Sequence, residues 1–175
     1  MPAILNLTDA MTNGPSFSQL TEVHRWLDSF FLNHQLALLS TDLAAAKLHL
    51  EHYENNLRLH IDDEESRLIP LYDSRTANVP GGAVELFTGE HTKLSAFVGE
   101  FQHTLVELTG KRQRELALGI ITLFDREAIC KGLAEHHHAR EENILFPWLD
   151  NITAPEERLE LLESCASWRA YRAAQ

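Results

Sequence analysis

Apolar residues recur at helical spacing along most of the chain. Leu20, Leu27, Phe31 and Leu38 share one face of a first helix, which Ser16-Phe17-Ser18-Gln19 opens as a capping box. Ser40-Thr41-Asp42 reads as a tight turn and N-cap for a second helix, from Leu43 through Leu57 and Leu59 to Pro70–Asp73. Pro80-Gly81-Gly82 precedes a third, with Leu86, Leu94, Val98, Phe101 and Leu105 on its apolar face, and Thr109-Gly110-Lys111 is its stop signal. A fourth runs from near Gln113 through Leu116, Ile120, Leu123, Cys130 and Leu133 to Pro147. Thr153-Ala154-Pro155-Glu156 is a second capping box, opening a short fifth helix over about 154–172 with Leu159, Leu162, Cys165 and Trp168 on one face. No strand-like alternation of useful length appears. The expected fold is all-α: an up-down-up-down four-helix bundle over about residues 17–150, within a single domain of residues 1–175. Residues 1–15 are expected to be an extended arm, and the fifth helix either covers the bundle or forms a homodimer contact through Trp168.

Composition narrows the chemistry. The chain has 175 residues, 44% of them hydrophobic, enough for one well-packed core and too apolar for a disordered segment. Fifteen Lys and Arg against 26 Asp and Glu give a formal net charge of −11, so the basic footprint that nucleic acid or an anionic membrane requires is missing. No apolar run approaches the ~20 residues of a membrane helix. The N-terminal Met1–Leu7 segment lacks the features of a signal peptide, and Cys130 and Cys165 make no disulfide framework, so a cytoplasmic location is expected. The unusual count is 10 His.

Those histidines fall into a repeat. Thr21-Glu22-Val23-His24 matches Thr88-Gly89-Glu90-His91, and the segment His60–Pro70 matches His137–Pro147. Each half thus has one His on its first helix and a His-x-x-x-Glu pair on its second. Residues four apart on a helix share a face, so His60 goes with Glu64 and His137 with Glu141, while Glu65 and Glu142 lie about 100° round and are expected to point away. Asp42 is midway between His24 and His60, in the first turn; Arg114 is midway between His91 and His137, close to the other. His34 fails the same test, because its midpoint with His60 falls inside the second helix. His24, His60, His91 and His137 can therefore share one level of the bundle, with both Glu side chains just beyond. Six such groups would be costly in a core without a partner. They suit a pair of borderline metals (Fe, Mn or Zn) with the two carboxylates as bridges. Of the about 12 positions around two octahedral ions, roughly one per metal then stays open for a small ligand. A single structural zinc is a poor match to six ligands without Cys.

The doubled His-x-x-x-Glu-Glu-x-x-(Leu/Ile)-(Phe/Ile)-Pro pattern, each time preceded by a lone helix His, resembles the hemerythrin-like (HHE cation-binding) domain over about residues 17–150. The resemblance implies an oxo- or hydroxo-bridged non-haem di-iron centre in a four-helix bundle, with His24, His60, Glu64, His91, His137 and Glu141 as metal ligands. The chain departs from the oxygen-carrying marine members. Phe87 and Ser95 stand where a second His would be needed, and the last pair is His-x-x-x-Glu rather than His-x-x-x-x-Asp. The four-His, two-Glu set is closer to that of the repair-of-iron-centres proteins, whose Cys-bearing N-terminal domain is absent here. The implied function is binding or sensing of O₂, NO or iron. The alternatives are an oxidoreductase acting on peroxide or another small oxidant, an iron-centre repair or iron-handling protein, and a metal-free helical interaction module. The intact six-residue set argues against the last.

The remaining polar residues have plainer readings. His136 and His138 are expected at the surface or behind the ligands, with a one-residue shift to His138 and Glu142 as an alternative ligand pair. His34, His49, His103 and Glu127 hint at a second polar layer, but helical angles favour interface or solvent-facing roles. Tyr53 and Cys130 occupy matching places two turns before His60 and His137, and both read as packing residues, with a redox role for Tyr53 as the lesser reading.

Overall fold

The computed structural model describes residues 14–77 and 79–175, so the expected arm lies almost wholly outside the described residues. All regular structure among them is helical. A 3₁₀ turn, Phe17–Leu20, leads into α1 (Thr21–Leu39). Next come α2 (Leu43–Asp63), a π-helical turn (Glu64–Leu68) and α3 (Ile69–Arg75). The second half repeats the order with α4 (Val84–Leu108), α5 (Gln113–Arg140), a π-helical turn (Glu141–Leu145) and α6 (Phe146–Ile152). The chain closes with α7 (Pro155–Ser164) and α8 (Ala166–Ala173).

Several boundaries follow local chemistry. Asp42 caps α2, its Oδ1 accepting the Ala45 N–H at 2.9 Å. Gly110, at φ +79°, supplies the left-handed residue that ends the α4 segment. The two π-helical turns each stand just before a proline, Pro70 or Pro147. Proline cannot donate to the carbonyl four residues back and its ring crowds that carbonyl; a wider turn relieves the conflict. The N–H of Ile69 reaches Glu64 O, and that of Phe146 reaches Glu141 O, one residue further than an α-helix allows.

Other expectations are corrected. Neither capping box forms: Ser16 accepts from Ser18 N–H, and Thr153 Oγ1 donates to Leu149 O while Ala154 occupies the N-cap. The fifth helix is two helices, because backbone at Cys165 turns extended. The reason is distant in sequence. Asp63 accepts the N–H groups of Ala166 and Ser167 at 2.9 and 2.7 Å and the Ser167 hydroxyl at 2.8 Å, so a carboxylate from α2 caps a new helix start. Trp168 is buried, whereas Leu86 and Leu159, assigned to apolar faces, are exposed.

Helix α1 packs on α2, α2 on α4, α4 on α5, and α5 on α1. Each seam is antiparallel, as cross-helix partners show: His24 with His60 and His34 with Ala46; Glu54 with Gln102 and Glu65 with His91; Glu100 with Arg126 and Glu90 with His137; His34 with Glu127 and His24 with His138. The interior holds Phe31, Leu50, Leu57, Leu94, Val98, Phe101 and Leu123. Each such side chain contributes roughly 2 kcal/mol of hydrophobic stabilisation. That apolar body carries the cost of a polar cluster near one end.

Candidate metal centre

The six expected residues come together. His24 on α1, His60 on α2, His91 on α4 and His137 on α5 converge with Glu64 and Glu141, the first residues of the two π-helical turns, and all six are at most 2% exposed. Their potential donor atoms form two groups, each within a 4.8 Å span: His24, His60, Glu64 and Glu141; and Glu64, His91, His137 and Glu141. Both carboxylates belong to both groups. Glu141 Oε2 lies 3.2 Å from His24 Nε2 and 4.0 Å from His60 Nε2, while its Oε1 lies 2.8 Å from His137 Nε2 and 3.7 Å from His91 Nε2. Glu64 turns Oε1 to His60 Nε2 at 3.5 Å and Oε2 to His91 Nε2 at 3.1 Å. The neighbours His138 and Glu142 are not in either group, so the one-residue shift of ligands is not what the fold selects.

Three of the four imidazoles are held from behind. Nδ1–H of His24 donates to Glu142 at 3.0 Å, that of His91 to Glu65 at 2.9 Å, and that of His137 to Glu90 at 3.1 Å. Glu65 and Glu142 do point out of the cluster, but they are not idle. Each reaches across a seam to a histidine of another helix. A carboxylate on Nδ1 fixes the ring and leaves Nε2 as the inward lone pair in the neutral tautomer. Glu90, in turn, is bonded by the guanidinium of Arg140. The spacing argument missed Glu90; its position in the repeat, where the first half has Val23, was the available signal. His60 is the exception, with its buried Nδ1 unpartnered among the described residues.

The electrostatics show a cluster in need of positive charge. Burial and the adjacent Glu141 carboxylate push Glu64 up to about 7. Burial also works against ionised Glu141, but His137, with His24 and His91, holds it well below the usual range. Burial opposes a charged His24, yet Glu141 and Glu142 outweigh it and raise the imidazole to about 9; Glu141 and Glu64 similarly raise His91 to about 10. Burial and the neighbouring His24 charge lower His60 and take His138 down to about 3.

These donors fit a cation. The Nε2 atoms of His91 and His137 stand 3.1 Å apart, and each ring already gives its Nδ1–H to a carboxylate, so two lone pairs face each other unless one ring is protonated. Two nitrogens bound side by side, about 2.1 Å from one ion, would be about 3.0 Å apart. All four oxygens of Glu64 and Glu141 are buried without a well-formed hydrogen bond among the described residues. The buried His/Glu cluster could hold a metal ion.

The second polar layer is real but differs from expectation. His34 and Glu127 are fully buried and bonded to each other at 2.8 Å, with His34 Nδ1–H donating to Ala46 O at 2.8 Å and Gln35 donating to Glu127 at 2.9 Å. They face neither solvent nor an interface. His103 and His136 are exposed.

The fold and cluster thus define a helical protein with a buried site suited to metal. Comparison with protein-family models, curated proteins and solved structures gives no match for this chain.

Proposed function

We propose that this chain is a hemerythrin-like protein: a four-helix bundle of α1, α2, α4 and α5 holding two iron ions through His24, His60, Glu64, His91, His137 and Glu141, and binding or sensing a small ligand such as O₂ or NO. The observation that carries this reading is the division of each Glu carboxylate between two imidazole pairs, Glu141 Oε2 toward His24 and Oε1 toward His137. One ion would leave half of those contacts without a purpose. The antiparallel seams, the internal repeat and the carboxylate-backed imidazoles support the same reading.

Bound iron would supply an open coordination position and a redox-active centre for a diatomic ligand. The protein's own residues do the rest. Glu65, Glu90 and Glu142 orient His91, His137 and His24, and the two inner carboxylates balance the metal charge. The surrounding apolar layer, including Phe146 beside the His24 ring, keeps bulk water away. No described helix is long and apolar enough to cross a membrane. With the acidic composition, this fits a protein acting in the cytoplasm on small molecules rather than on nucleic acid or lipid.

The test is metal analysis of purified protein with optical spectra before and after reduction and exposure to O₂ or NO. About two irons per chain and a ligand-dependent spectrum are expected. One ion per chain, or none after reconstitution with ferrous iron, would refute the proposal.

A further inference from the structure

A cavity of about 220 Å³ lies in the seam between α1 and α5, its lining beginning one helical turn from His24 and His137. Tyr53 of α2 and Cys130 of α5 form part of its lining, and both are at least nine-tenths buried. Phe31 and Ala134 give it apolar walls. Asp28, Lys131 and Glu135 bring charge to its lining. On the metal side the seam is closed by His24 and His138, whose rings stack 4.0 Å apart and within 5° of parallel.

The Tyr53 hydroxyl makes no hydrogen bond among the described residues, although the residue is only 5% exposed. The oxygen is not sealed off, and Tyr53 lines the cavity, so a guest there can supply the partner. Burial keeps the phenol protonated and pushes the Cys130 thiol up to about 12. The inner lining therefore offers donors, O–H and S–H, with no charge to attract an ion. Asp28 and Glu135 outnumber Lys131 in the lining, which disfavours an anion. An engineered apolar cavity of about 150 Å³ holds benzene, so this one accommodates roughly nine non-hydrogen atoms.

We propose that the cavity is a binding site for a small neutral carbonyl compound, its oxygen accepting the Tyr53 hydroxyl and its apolar body lying between Phe31 and Ala134. The site stands on its own geometry and does not depend on which metal the cluster holds. Asp28 and Ala134 stand one turn from His24 and His137 on their helices, so such a compound lies near the cluster although none of the six residues lines the cavity.

Acetophenone has the required size, one acceptor and no charge. Calorimetric titration of the purified, metal-loaded chain should show saturable binding, tighter than that of ethylbenzene, which has the same body without the oxygen. Tyr53→Phe keeps the ring and should weaken acetophenone roughly fivefold while leaving ethylbenzene unchanged. Ala134→Phe fills the space and should abolish binding of both, with helicity and metal content retained. No binding of acetophenone, equal loss of both probes in Tyr53→Phe, or undiminished binding to folded Ala134→Phe would overturn the proposal. Metal content measured in the same samples separates the two readings: binding by a chain without metal supports this site and counts only against the metal centre.

Discussion

Glu90 accepts the Nδ1–H of His137 at 3.1 Å, and the matching residue of the first half, Val23, offers His60 nothing. The repeat is symmetric in its inner donors and asymmetric in what holds them. Carboxylates behind ligand histidines typically change metal affinity by about 10–100-fold. In the two-ion centre proposed above, the ion on the His24–His60 side should leave first under chelation, giving two phases of metal loss. Glu90→Gln keeps an acceptor but removes the charge shared by His137 and Arg140, and should bring the two phases together. A single phase in the unaltered protein would show that the missing partner has no effect.

The two inner carboxylates are unequal as well. Glu141 lies within 4.0 Å of all four imidazoles, whereas Glu64 lies that close to His60 and His91 only. Glu141→Ala should therefore lose nearly all metal, and Glu64→Ala a smaller part, with both variants still helical by circular dichroism because the apolar faces are intact. Full metal content in both variants would remove the bridging assignment.

His24 and His34 separate metal binding from stability. His24→Ala should lose metal. His34→Ala should keep it but leave Glu127 buried without its hydrogen-bond partner, at a cost of about 2 kcal/mol. Denaturant titration alongside metal analysis distinguishes the two effects; metal loss in the His34 variant would mean that the layers are coupled.

The metal-free form should respond to pH in a definite direction. His24 and His91 are raised from 6.5 to about 9 and 10, so their protonation favours the fold. That contribution is complete below the unfolded value and is lost as pH climbs through the folded ones. Metal needs the same imidazoles unprotonated, so its affinity rises over that window. The gap in Tm between metal-loaded and chelated protein should widen from about pH 7 to about pH 9.5. A constant gap would show that protons and metal do not compete at these rings.

The helices and the six converging residues were legible in the sequence because both depend on local period and on a repeat that supplies its own alignment. What was not legible depends on contacts far along the chain or on a departure from the 3.6-residue turn. The break at Cys165 is made by Asp63, and His34 finds Glu127 across a seam. Rotation by about 100° per residue sent Glu65 and Glu142 away from the cluster. It said nothing of histidines on other helices that those side chains reach, nor of the wider turns that begin at Glu64 and Glu141.

The carboxylate that caps α8 is the residue immediately before Glu64. If α8 lifts, Asp63 loses three of its donors and keeps only Arg67, at the point where the helix widens to present Glu64. The first turn of α8 and the buried polar cluster are thus fastened through a single peptide bond. A cut in the Cys165 linker, or a partner that draws α8 away, would be felt inside the molecule as a loosened carboxylate, giving the C-terminal segment the character of a latch.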